Sequence, residues 1–226
     1  MNYDPMPTPY LINRPEIIPI DLGRQLLVDN FLIEQTDMER RSYTPRKMSF
    51  NPVLKPETEL EQGIYGIPGA SAKDGGVWWD PKDQLFKMWY EAGWLNKMAY
   101  ATSNDGVNWV RPDLNNGSNE LLTLSRFPAN SCAVVLDYEA SDNERYKMFL
   151  RSPNADATDN AGYCMISSNG KQWSWFTKTG PCGDRSTMFY NPFRKKWVFS
   201  IRTLGVLGNS PHGRARYYRE HSDFLT

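Results

Sequence analysis

The chain has 226 residues, with 26 basic and 26 acidic side chains, so its net charge is zero, and 13% of its residues are aromatic. Without a block of Lys or Arg it lacks the electrostatic footprint of a nucleic-acid or anionic-membrane binder, and neutral partners fit it better. Three cysteines without a CxxC spacing and only two histidines, His212 and His221, argue against a disulfide framework, a zinc knuckle and a poly-histidine metal centre.

Residues 1–70 form a lead-in segment, Pro-rich and irregular over its first twenty positions. Met1-Asn2-Tyr3-Asp4-Pro5 has neither the basic nor the apolar part of a signal peptide, and no run approaches the apolar length of a membrane span. The chain therefore reads as cytoplasmic as written, and as periplasmic or secreted if a leader has been removed. Residues 24–34, RQLLVDNFLIE, carry the first strand signal, and this strand is expected to close a ring by completing the last unit. Pro45, Pro52, Pro56 and Pro68 interrupt the rest of the segment too often for a long helix.

From Gly75 the pattern becomes regular. Val77–Trp79 and Leu85–Tyr90 flank the turn Asp80-Pro81-Lys82-Asp83, and Met98–Thr102 enters a second turn, Ser103-Asn104-Asp105-Gly106, ahead of Trp109. Short aromatic and β-branched runs split by Asp-Pro and Asp-Gly predict antiparallel hairpins. The same punctuation returns at Cys132–Asp137, Arg145–Leu150 and Ser167-Ser168-Asn169-Gly170, closing on Trp173. It returns again at Thr187–Pro192, Trp197–Arg202 and Arg216–Tyr218. A four-stranded unit recurring every roughly 55–65 residues is the signature of propeller blades. The predicted fold is an all-β propeller of four-stranded antiparallel blades, with blade one at 71–112, blade two at 128–178 and an incomplete blade three at 183–226. Residues 121–124 are expected to form an outer strand or a crossover. Even the smallest rings hold four blades, so the chain is expected to be completed by a missing C-terminal half or by a second chain. Cys132, Cys164 and Cys182 read as small buried thiols within these blades. Asp105 and Trp109 read as structural members of a blade turn, and Asp80 and Asp137 as turn caps.

With its blades placed, the chain resembles the five-bladed β-propeller glycoside hydrolases, the clan of the β-fructosidases and the arabinofuranosidases and xylosidases (families 32 and 43), and in particular its poorly characterised bacterial branch. The likeness is carried by residues 27–34 (LVDNFLIE), Asn51-Pro52-Val53-Leu54, Gly75–Pro81, Phe86–Tyr90, Tyr100–Trp109, Gly183–Thr187 and Asn191-Pro192-Phe193. The Trp-x-Asn-Asp-Pro motif of true β-fructosidases is absent.

The resemblance implies a glycosidase that removes a terminal furanose, modified or uronic sugar from a polysaccharide or oligosaccharide, using carboxylates at the funnel mouth where inner strands begin. One carboxylic acid protonates the leaving oxygen and a second carboxylate acts as base or nucleophile. Asp74 ahead of the first inner strand and Asp184 ahead of the third are the matching positions; Asn130 stands at that place in blade two. Arg185, next to Asp184, is expected to hold it ionised. Glu91, Arg151 and Arg202 end the second strands of the three units, so Glu91 is the candidate third carboxylate and the two arginines are candidates to grip a substrate carboxylate or sulfate. Trp94 is a candidate sugar-stacking platform, and Glu61 a carboxylate reaching the funnel from the lead-in segment. No catalytic metal or cofactor is implied, although the fold leaves room for a central structural cation such as calcium. The expected partner is a carbohydrate, and the chain by itself is expected to be inactive. A non-catalytic carbohydrate-binding propeller and a sialidase-like hydrolase built on Arg151, Arg185 and Arg202 are the alternative readings.

Overall fold

A computed structural model describes residues 6–7, 16–17, 26–30, 33–121, 131–153, 160–202 and 215–225. Among these the fold is almost wholly antiparallel β. A single helical turn, α1 (Glu59–Gln62), precedes the sheets. The first sheet holds β1 (Ala70–Asp80), β2 (Leu85–Ala92) and β3 (Lys97–Ser103) in sequential order. The second has four sequential strands, β4 (Ser131–Leu136), β5 (Tyr146–Pro153), β6 (Asn160–Ser167) and β7 (Ser174–Pro181). The third has β8 (Thr187–Asn191), β9 (Lys196–Arg202) and β10 (Arg216–His221).

Each sheet is a meander, and the first strands β1, β4 and β8 pack side by side. That radial order is what makes them three successive blades of a partial propeller. The period of two in the sequence explains how they pack. Met88, Tyr90 and Ala92 of β2 point to one face with Ala99 and Ala101 of β3, where Leu54 and Leu60 cover them. Trp89, Met98 and Tyr100 point to the other face and meet Val134, Leu136, Tyr146, Met148 and Trp173 of blade two. The alternate residues of blade two, Ala133, Val135, Phe149 and Cys164, face Met188, Trp197 and Phe224 of blade three. The middle blade is therefore buried on both faces, which is why β4 reads as an unbroken apolar run. Cys132, Cys164 and Cys182 are free thiols inside these layers.

The two blade turns repeat bond for bond. Ser103 Oγ accepts from the amides of Asp105 and Gly106 while the Asp105 carboxylate accepts from Val107 and Asn108. Ser167 Oγ accepts from Asn169 and Gly170, and the Asn169 side chain accepts from Lys171 and Gln172.

Several expectations need correction. The described residues of the segment 24–34 form no strand, and Leu26 and Val28 are 83% and 79% exposed. Among the described residues blade one shows three strands. Its outer position is taken by single bridges from Val110 to Thr102 and from Glu120 to Ala99. The proposed strand at 121–124 is described only at Leu121, whose amide bonds to Met98 O. β1 begins seven residues ahead of Val77, so Asp74 lies inside the strand, in an irregularity between the paired residues Ala72 and Val77. Blade two continues to Pro181, past the expected boundary at 178.

Asp80 proves more than a turn cap. Its Oδ1 does accept from the Lys82 amide at 2.9 Å, but the carboxylate is also fully buried against Lys87 Nζ (2.7 Å), Arg145 Nη2 (2.6 Å) and the Tyr146 hydroxyl. It ties blade one to blade two at the end of the sheets away from the mouth.

Candidate functional site

The mouth is built where the inner strands begin. Between β7 and β8 the chain turns through Cys182-Gly183-Asp184-Arg185-Ser186, and one buried serine organises it. Ser186 Oγ donates to Gly183 O at 2.9 Å and accepts from the Arg202 amide at 2.9 Å, while Gly183 N–H donates to Arg202 O at 2.9 Å. This locks the turn onto the end of β9. Ser131, at the start of β4, donates its hydroxyl to Ser186 O at 3.0 Å, fixing blade two to blade three at the same level.

Upon this frame stand the charged groups. Asp184 forms an ion pair with Arg202 Nη1. The expected partner, Arg185, takes a left-handed backbone (φ 59°) instead, and its carbonyl accepts from Arg216 Nη2 at 2.7 Å. Adjacent residues diverge in direction, so sequence neighbourhood did not make the pair. Arg216 lies directly across the β9–β10 ladder from Arg202, and its Nη1 also donates to Ser200 O and Oγ. Asp184, Arg185, Arg202, Ala215 and Arg216 line a cleft of about 300 Å³. Arg151, in β5, pairs with Ser131 at the start of β4; burial pushes its guanidinium below its ordinary value, and the charge of Arg202 pushes it the same way while Cys182 opposes.

Asp74 is exposed on the irregular start of β1. Burial raises the Cys132 thiol above its usual range, and the Asp74 charge adds to the rise. Asn130 lies outside the described residues. Its neighbour Ser131 supplies the blade-two contact described above.

Glu91, Trp94 and Glu61 belong to a second group. Glu91 is 2% exposed, and its Oε1 accepts from the Leu95 amide at 2.6 Å, shaping the β2–β3 hairpin. Trp94 at the hairpin tip is 45% exposed, and its amide donates to Ile67 O at 3.1 Å. Glu61 is fully buried at the third position of α1, in a capping box with Thr58. Its carboxylate accepts from the amides of Glu57 (2.7 Å) and Thr58 (3.0 Å), the Tyr90 hydroxyl (2.7 Å) and Arg111 Nε (2.8 Å). Glu61 thus joins α1 to Tyr90 of β2 and to Arg111. Burial pushes its pKa up, but Arg111, the two amides and Tyr90 outweigh burial and bring it down to about 2.

A lowered carboxylate contributes stability that is complete above its unfolded value and is lost as pH falls through the folded one. Glu61 therefore protects the fold at neutral pH and stops doing so between about pH 4.5 and about 2. Urea unfolding of Glu61→Gln is expected to show a flatter loss of stability across this acid range than the unsubstituted chain. Parallel curves would contradict the assignment.

Arg216 and Ser186 were not singled out as site residues by sequence reasoning. A signal for Arg216 existed: it opens the strand that must pair with the end of β9.

No protein-family model matches the chain, and no curated protein matches it. Among solved structures, it is similar to a protein of Bifidobacterium bifidum S17 assigned as an exo-β-1,3-galactanase, at 12% identity and a TM-score of 0.45, over 74% of this chain and 54% of that one. It is also similar to the fructofuranosidase of Schwanniomyces occidentalis, at 15% identity and a TM-score of 0.38, over 64% of this chain and 34% of that one. The chain thus spans about half the length of the first and about a third of the second. The blade architecture itself rests on the sheet order and the packing of β1, β4 and β8.

Proposed function

We propose that the chain contributes three blades of a glycoside hydrolase, with Asp74 and Asp184 as working carboxylates at the funnel mouth. The observation that carries this reading is the meeting of Asp184 with Arg202, beside Arg151, where the inner strands β4 and β8 are tied together by Ser131 and Ser186. A carboxylate paired with a guanidinium suits the base or nucleophile, or a group that accepts sugar hydroxyls. Asp74, exposed on the irregular start of β1, is the second carboxylate of the proposed pair. Glu91 is left to its hairpin.

The test is hydrolysis across a panel of chromogenic glycosides and plant oligosaccharides, by the full chain and by any longer polypeptide that contains it. Asp184→Asn is expected to lower kcat/KM at least about a hundredfold while leaving the fold intact. No turnover of any glycoside by the longer polypeptide, or turnover that Asp184→Asn leaves unchanged, sinks the reading.

The engagement of Glu91 in the Leu95 turn favours a second reading, a propeller that binds carbohydrate without cleaving it. Sugar binding that survives Asp74→Asn and Asp184→Asn without turnover would establish that reading.

A further inference from the structure

We propose that the cleft beside Asp184 is a subsite for a sugar carrying one anionic group, a carboxylate or a sulfate half-ester. The inference deepens the glycosidase reading and takes the word sugar from it. The rest comes from the charge balance and its arrangement.

Arg185, Arg202 and Arg216 line the cleft against a single carboxylate, Asp184. They arrive from three places: the turn before β8, the end of β9 and the start of β10. Asp184 pairs with Arg202. Arg216 is held by neutral acceptors, the carbonyls of Arg185 and Ser200 and the Ser200 hydroxyl, which orient a guanidinium without cancelling its charge. Among the residues lining the cleft, therefore, positive charge exceeds negative.

Concentrated like charge destabilises a fold unless it serves a ligand or is neutralised by one. Here the concentration is also held in place. The Arg216 guanidinium is held by Ser200 and the Arg185 carbonyl, and that of Arg202 by Asp184. Guanidiniums held in advance form bidentate contacts with a planar carboxylate or a sulfate at little further ordering cost.

Asp184 narrows the choice of anion. A phosphate monoester carries close to two charges and would meet the Asp184 carboxylate as a repulsive neighbour. A singly charged uronate or sulfate half-ester gains the arginines with less repulsion, and its ring hydroxyls can donate to Asp184. A cleft of about 300 Å³ is at the small end of ligand sites, the scale of one sugar unit rather than a chain.

The experiment is titration calorimetry of the full chain at low ionic strength with methyl glucuronide, galactose 6-sulfate, their neutral counterparts and inorganic sulfate. At least one acidic sugar is expected to bind about tenfold or more tightly than its neutral counterpart. Which of the two acidic probes binds distinguishes carboxylate from sulfate ester. Arg185→Asn keeps a residue that tolerates the left-handed backbone, and it is expected to weaken the acidic sugar about tenfold. Arg151→Gln, in a different blade, provides a second variant with the same expected direction. Equal affinity for acidic and neutral sugars, or binding of inorganic sulfate alone, overturns the proposal.

The hydrolysis panel separates this proposal from the reading beneath it. Acidic sugars bound without any turnover would remove the hydrolase and leave the subsite. Turnover of neutral glycosides with no preference for acidic sugars would remove the subsite and leave the hydrolase.

Discussion

Replacing Asp80 by Asn is expected to destabilise the chain by about 3–5 kcal/mol, because it removes one member of a buried ionic group and strands the others. Asp80 is fully buried and receives Lys87 Nζ at 2.7 Å, Arg145 Nη2 at 2.6 Å and the Tyr146 hydroxyl. Burial by itself would push the carboxyl up. Arg145, Lys87 and Tyr146 outweigh it and hold Asp80 well below the usual carboxylate range. Lys87 is itself buried at 2% exposure, and Asp80 and Asp83 raise it against the opposing effect of its burial. Asn keeps the size of Asp80 and some hydrogen bonding, so the loss reports the charge. Tyr146→Phe removes a neutral hydroxyl that donates to Asp80 and accepts from Lys87 Nζ at 2.7 Å, and is expected to cost about 1–2 kcal/mol. Urea unfolding of the two variants checks both figures. If Asp80→Asn costs no more than Tyr146→Phe, the group is a set of independent contacts rather than a coupled staple.

The pH dependence has the same sign as that of Glu61. A lowered Asp80 contributes fully above its unfolded value, and its contribution falls away as the medium is acidified. Both carboxylates join neighbouring parts of the arc, Asp80 across blades one and two and Glu61 across α1, β2 and Arg111. Acid is therefore expected to loosen the contacts around blade one before it opens the apolar layer between blades two and three.

What the sequence showed and hid follows from the range of the interactions. Hairpins were legible because Asp80-Pro81 and Asp105-Gly106 encode their turns locally, and blades were legible because the local pattern recurs. The corresponding turns at Ser103 and Ser167 make the same bonds, so reading Asp105 as structural agrees with the geometry. The staple was hidden because its members come from two blades, and each alone reads as a turn or strand residue. Arg202 was placed at the mouth by strand counting, yet its partner Asp184 could not be told from the sequence neighbour Arg185. Glu61 looked available because nothing local reveals that Tyr90 and Arg111 close over it.

The second large effect is expected at the blade-two turn. Gly170 and Gly106 occupy equivalent positions with nearly equal backbone angles, φ 73° and 74°. An L residue at either pays the same left-handed penalty, about 1–2 kcal/mol. Their surroundings differ. A Cβ on Gly106 would meet Phe86 at 3.8 Å, an ordinary contact, whereas one on Gly170 would lie 2.5 Å from Cζ2 of Trp89. Trp89 cannot withdraw, since it is fully buried among Tyr100, Tyr146 and Trp173, and its Nε1 donates to the Gly170 carbonyl at 2.6 Å. Gly170→Ala must therefore move the turn or the indole, adding an overpacking cost of about 1–3 kcal/mol to the backbone penalty. Gly106→Ala is expected to lose about 1–2 kcal/mol, and Gly170→Ala about 3–4 kcal/mol with a shift in tryptophan fluorescence. The difference between the two isolates the contact between blades from the cost of the turn. Equal losses would mean that the Gly170 turn slides freely over blade one, and that the layer around Trp89 is not what joins the first two blades.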